Sequence, residues 1–188
     1  MARTFSAESS GTNLTSQFYL QNFYRMNRKA MKVSTRKDYN QVELSYEDSR
    51  ALKKAAAKLS SFDYSEEENG DNILNTIKAF AETYNYTLDS SSSQDSDTYR
   101  QNRQLKALTQ KYGDELKDLG ITIEEDGKLS VSENILEKAS FDEVKKVFSN
   151  ESDYVSKLRT IARRMHANSY DEVYAQMTGA GGKLNILL

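Results

Sequence analysis

With 188 residues, a net charge of −2, 37% hydrophobic content and a mean hydropathy of −0.77, the chain can build one modest core with long polar flanks. The absence of Cys excludes disulfides, thiolate nucleophiles and Cys-ligated metals, and no apolar run reaches the roughly 20 residues of a membrane span. Pro and Trp are absent as well, and a proline-free chain can run long helices without kinks. Charge is uneven: residues 1–60 carry a net +6 and the remainder a net −8, so a basic leading segment precedes an acidic body.

Residues 1–44 read as a flexible or extended basic and aromatic arm. Residues 1–12 are small and polar and carry no continuous apolar stretch of the secretory type. From Leu14 to Val33, Phe18, Tyr19, Phe23, Tyr24 and Met26 are set among Arg25, Arg28, Lys29 and Lys32, which admits several readings. The rings pack on the main body, lie at a membrane surface, or join the cations in a surface for single-stranded nucleic acid or an acidic partner. The candidate partner-binding residues here are Phe18, Phe23, Tyr24, Arg25, Arg28 and Lys29.

A helical core domain is expected over 45–178. Asp48 to Leu59 has Leu52, Ala55, Ala56 and Leu59 on one helical face. Residues 60–70 form a loop, and Asp71 is placed to cap a strongly periodic helix through Ile73, Leu74, Ile77, Phe80, Ala81, Tyr84 and Leu88. After the Ser/Asp-rich loop 89–97, a further helix carries Leu105, Leu108, Tyr112, Leu116 and Leu119 and ends at Gly120.

A hairpin is predicted over 120–132, because Ile121-Thr-Ile and Leu129-Ser-Val alternate on either side of Asp126-Gly127. The Asp-Gly pair suggests a type I′ turn with two positive φ angles. Ile121, Ile123, Leu129 and Val131 then share a face that helices must cover. Read as a calcium loop, the same segment places Thr122 where Asp is needed and the longer Glu124 at the third position, so the hairpin is the better account. Beyond it, Glu133 to Ala139 is a short helix and Ser140-x-x-Glu143 a capping box. Ser152 caps a helix through Val155, Leu158, Ile161, Ala162 and Met165. Ser169-x-x-Glu172 resembles a second capping box, opening a separate last helix with Val173, Tyr174 and Met177.

Residues 179–188 read as a Gly-rich turn and apolar tail, with Leu184, Ile186 and Leu187 as a partner hook. Thr178 to Lys183 fails as a phosphate loop, since Met177 and Leu184 stand where Gly and Ser or Thr are required. His166 is the sole histidine, without the companions of a triad or zinc site. Arg159, Arg163 and Arg164 read as a solvated, salt-bridged helix face. No catalytic residue, cofactor or metal ligand is assigned.

The order of elements resembles a known family. Residues 73–88, an apolar helix ending in Tyr84-Asn85 and then Leu88, are similar to a segment of flagellar filament-capping proteins. Leu119-Gly-Ile-Thr-Ile-Glu-Glu-Asp-Gly-Lys-Leu-Ser-Val131 resembles that family's Gly-Ile-Thr…Asp-Gly-Lys-Leu signature, and Ile135 to Ala139 followed by Val144 to Phe148 resembles the ending. The likeness covers about residues 71–160. Cap proteins are longer, with terminal coiled-coil segments and inserted domains for which this chain has no room.

The expectation is an α+β fold, a helix-dominated bundle with one antiparallel β-hairpin. The resemblance implies a non-enzymatic structural and assembly protein that self-associates or binds a protein partner, outside the cell at the bacterial flagellum. The alternative is a small cytoplasmic binding module whose basic aromatic segment engages nucleic acid or an acidic partner.

Overall fold

The computed structural model describes residues 14–64, 70–94 and 96–179. Residues 1–13, the acidic run at 65–69, Asp95 and the tail with Leu184, Ile186 and Leu187 lie outside the described residues. The architecture is organised around one central helix, α3 (Gln41–Leu59), against which α1 (Ser16–Phe23), α4 (Gly70–Ser90) and α9 (Asp153–Gly179) all pack. A one-turn helix, α2 (Val33–Arg36), lies between α1 and α3. The described part of the expected 1–44 arm is thus a set of short helices and turns folded onto the core, and the expected 44/45 boundary falls inside α3.

Enclosure explains why α3 starts at Gln41 and not at Asp48. Its first half buries Ser45, Glu47, Asp48 and Ser49, and its second half buries Ala51, Leu52, Ala55, Ala56 and Leu59. A helix covered on several sides needs no polar outer face, so its polar residues must find partners within the protein. Its start is fixed by a capping box in which Glu43 N–H donates to Asn40 Oδ1 (2.9 Å) and Asn40 N–H donates to Glu43 Oε2 (2.8 Å).

Helix α4 follows its predicted stripe, with Ile73, Ile77, Phe80 and Tyr84 fully buried. It also buries Thr83 and Thr87, whose hydroxyls donate 2.8 Å bonds to the carbonyls one turn back, Ala79 and Thr83. Asp71 stands inside the first turn of α4, not before it. The helix expected up to Gly120 divides into α5 (Tyr99–Lys111) and α6 (Gly113–Asp118). At Tyr112 the backbone leaves helical geometry (φ −104°, ψ 21°), and α6 restarts to pack against the first strand. Leu105, Leu108, Leu116 and Leu119 still bury on a common side.

The two strands, β1 (Ile121–Ile123) and β2 (Leu129–Val131), form one antiparallel sheet, pairing Ile121 with Val131 and Ile123 with Leu129. Ile121 and Leu129 are buried, while Ile123 and Val131 are half-buried against the core. The turn differs from the type I′ expectation. Gly127 has φ 87°, but Asp126 does not have a positive φ. Glu124 N–H donates to Lys128 O and Gly127 N–H to Glu124 O, both at 2.8 Å. This is a three-residue loop closed by a left-handed glycine, with the Asp126 carboxylate accepting from Lys128 N–H at 2.9 Å.

After α7 (Glu133–Leu136) comes α8 (Phe141–Phe148), which opens on the predicted Ser140/Glu143 capping box. The last two expected helices are one: α9 runs unbroken from Asp153 to Gly179. Ser169 cannot cap because it sits buried in mid-helix, bonded through Oγ to Ser49 Oγ of α3 at 2.8 Å. Glu172 instead reaches the lead-in to α5, accepting from Ser96 Oγ at 3.0 Å and from Asp97 N–H. The aromatic centre joins α4, α8 and α9: Phe80 and Phe148 meet edge to face at 6.1 Å between centroids, and Phe148 and Tyr154 at 6.2 Å. Each such fully buried ring stabilises the fold by roughly 1.5–3 kcal/mol. The whole is a helix-dominated α+β fold with one β-hairpin among the described residues.

Candidate interaction surface

Asp48, on α3, is fully buried and collects three donors. Arg36 of α2 gives it a two-pronged pair, Nη1 to Oδ1 at 2.9 Å and Nη2 to Oδ2 at 2.7 Å, and Tyr24 donates its hydroxyl to Oδ1 at 2.6 Å. The guanidinium also donates to Ala30 O at 2.8 Å and stacks on the Tyr86 ring of α4 at 4.2 Å. Burial pulls the Arg36 pKa down, but the Asp48 bond and charge outweigh it, so the pKa is raised overall. Burial, and then the Asp48 charge, push the Tyr24 hydroxyl well above its usual value. One carboxylate therefore ties α1, α2, α3 and α4 together, and bidentate geometry makes it specific.

Immediately before it in the chain, the other buried carboxylate, Glu47, pairs with Arg50 and accepts from Asn27 Nδ2 at 3.4 Å, while Tyr39 donates to Asn27 Oδ1 at 3.0 Å. Burial raises the Glu47 pKa to about 7, against the opposing pull of Arg50. On the far side of α3, His166 lies against Tyr46, 5.2 Å between ring centroids. Burial, with Lys53, Arg50 and Lys54 nearby, lowers its pKa to about 4, so the imidazole is neutral at neutral pH.

These groups position the candidate surface. Arg25, Arg28, Lys29 and Lys32 are exposed on the turns between α1 and α2 and make no ion pair among the described residues. Exposed Met26 and Val33 lie among them. Phe18 is 41% exposed on α1, its ring edge-on to buried Tyr19. Phe23 and Tyr24, expected to meet a partner, are instead core residues at 4% and 0% exposure. Phe23 enters the main apolar cluster, and Tyr24 is needed at Asp48. Among the described residues the surface is therefore cationic with a few apolar points and without adjacent exposed rings for stacking successive bases.

Elsewhere, a shallow groove of about 410 Å³ between the start of α3 and the end of α9 is lined by Gln41, Ser96, Asp171 and Glu172. Its Glu172 is already committed to the α5 lead-in. The hairpin carboxylates do not converge: Glu133 pairs with Lys78 at 3.3 Å, and Asp126 with Lys128 at 3.4 Å. No group of three or more potential metal ligands occurs among the described residues, and no helix there is long and apolar enough to cross a membrane.

One contact that residue patterns did not indicate is Asn85 on α4. Its amide donates to Leu129 O and accepts from Leu129 N–H, both at 2.8 Å, occupying the open edge of β2 as a further strand would. The chain matches no protein-family model, no curated protein and no solved structure.

Proposed function

We propose that this chain is a non-enzymatic structural and assembly protein of the flagellar filament-cap type. One observation carries the reading. Two parts of the sequence resemblance, Tyr84-Asn85 and Asp126-Gly127-Lys128-Leu129, are far apart in the chain yet meet in the Asn85–Leu129 double hydrogen bond. The shared motif residues thereby acquire a common physical task, docking a hairpin on a helix. The test is deletion of the gene in its source cell. Filaments should be lost or shortened, with unpolymerised flagellin released into the medium. Normal filaments and retained flagellin would refute the assignment.

The cationic surface favours a second reading, a binding module for an acidic partner. Arg25, Arg28, Lys29 and Lys32 project from turns that the Asp48 cluster holds in place, and such a surface raises encounter rates with a negatively charged protein. Burial of Phe23 and Tyr24 weighs against single-stranded nucleic acid, which calls for exposed stacking rings. Retention on heparin should fall steeply with salt and drop further when the four cations are neutralised. Retention that ignores both changes removes this reading.

A further inference from the structure

The outer face of α9 is mostly uncovered within the described chain, although the Tyr170 ring stands 6.3 Å from that of Tyr46 on α3. Seven large hydrophobic side chains are exposed among the described residues, and three of them, Tyr170 (44%), Tyr174 (57%) and Met177 (45%), lie on α9 within two turns. Together with exposed Ala167 and Arg163 they recur at alternating steps of four and three residues. That is the 3.5-residue spacing of a seam between two helices, the same spacing with which α9 faces its own core through Val155, Leu158, Ala162, Met165 and Ser169, so the helix carries a second face patterned for a partner helix.

Charge decides what fits the seam. Its N-terminal end carries Arg163 and Arg164, and its C-terminal end carries Asp171 and Tyr174; these four are exposed, and the three charged groups make no ion pair among the described residues. The seam is therefore cationic at one end and acidic and aromatic at the other, which makes it complementary to itself when reversed. With Ala167 set opposite Tyr170 of another copy, Arg163 comes opposite Tyr174 and Arg164 flanks Asp171. Each contact then occurs twice, as a two-fold axis requires. The first is a cation–π contact and the second an ion pair at the seam's edge.

We propose that α9 pairs antiparallel with α9 of a second copy of this chain, forming a two-fold dimer through the Arg163–Met177 face. The inference is independent of the filament-assembly reading: a dimer without flagellar activity, or the reverse, would separate the two.

Sedimentation equilibrium on the full chain tests it. The wild type should show a reversible monomer–dimer equilibrium. Tyr170→Ala with Tyr174→Ala should weaken it by about tenfold or more, with unchanged helical circular dichroism showing that the fold is retained. Arg164→Asp and Asp171→Arg should each weaken the dimer, and the two substitutions combined in one chain should restore it, because the swapped pair still meets across an antiparallel seam. A wild type that stays monomeric at every concentration overturns the proposal. So does a dimer indifferent to the tyrosine variants, or one that the double charge swap leaves as weak as either single variant.

Discussion

The two halves of this molecule are held together by different physics. In the hairpin half, α4 and α6 close over β1 and β2 and α8 packs on α9, with apolar side chains such as Phe80, Ile121, Leu129 and Phe148; polar groups serve mainly to pin the edge, as Asn85 does. In the N-terminal half, α1 and α2 are fastened to α3 by buried charge: Asp48 with Arg36 and Tyr24, and Glu47 with Arg50 and Asn27. Apolar packing tolerates imperfect fit and is lost in increments. A buried ion pair is all or nothing, since removing one partner leaves the other charged and dehydrated. The first half is accordingly built for bulk stability. The second is built for a fixed geometry, and it displays Arg25, Arg28, Lys29 and Lys32, which make no ion pair among the described residues.

Substitutions can break each half in its own way. The largest effect is expected for Asp48→Ala, which strands Arg36 and Tyr24 together. Chemical denaturation should show a loss of about 3–5 kcal/mol, and a loss below about 1 kcal/mol would mean the cluster is ornamental. Next comes Gly120→Ala. Gly120 has φ 76°, and an added Cβ would lie 2.7 Å from Ile135 Cβ and 3.0 Å from Ser132 O, so strain and overlap should cost about 1–3 kcal/mol. Asn85→Ala should cost a similar or smaller amount, about 1–3 kcal/mol, by leaving both Leu129 backbone groups unpaired. If Asn85→Ala lowers the denaturation midpoint more than Asp48→Ala does, the contrast between the halves fails.

A pH titration of stability sharpens the same contrast. Glu47 has its pKa raised to about 7, so its favourable contribution is complete below the ordinary carboxylate range and is lost as pH rises toward about 7. His166 has its pKa lowered to about 4, so its contribution is complete above about pH 6.5 and is lost as pH falls toward about 4. Between those limits the two slopes, each at most about 1.4 kcal/mol per pH unit, oppose one another. The wild type should therefore be nearly flat from about pH 5 to 6.5, whereas Glu47→Gln should lose stability steadily on acidification across that range. An equally flat Glu47→Gln profile would show that His166 does not titrate as described. The smallest effect is expected at the surface. Neutralising Arg25, Arg28 and Lys29 together should move stability by only a few tenths of a kcal/mol per site, while heparin retention falls.

The difference between the halves also governed what could be read before the fold was seen. Hydrophobic periodicity marks α4, α8 and the hairpin directly, because each buries one face or stripe and leaves the other wet. It is silent on Gln41 to Glu47, since a helix enclosed on several sides hides polar residues whose partners are remote in sequence. Asp48 gives no local sign that it meets Arg36 and Tyr24. Similarly, Ser169-x-x-Glu172 has the spacing of a cap, but the signal is local and tertiary demand won: Ser169 bonds α3, and Glu172 serves α5. The Asp-Gly turn was legible as a turn, yet its type depended on the register of Glu124 with Lys128. Of the six candidate partner residues within residues 14–44, four are exposed and two are core, and composition alone cannot tell a ring that packs from one that projects. The seam on α9 follows from exposure together with spacing, and exposure is not written in the sequence.

The central claim is that residues 16–36 form one rigid unit with the core through Asp48, and are not a tethered arm. Hydrogen exchange read by mass spectrometry on the full chain tests this most directly. Amides of α1 and of the turn through Ala30 and Met31 should exchange as slowly as those in the middle of α4, and Asp48→Asn should release them selectively. Fast exchange across 16–36 in the wild type, with α4 still protected, would contradict it.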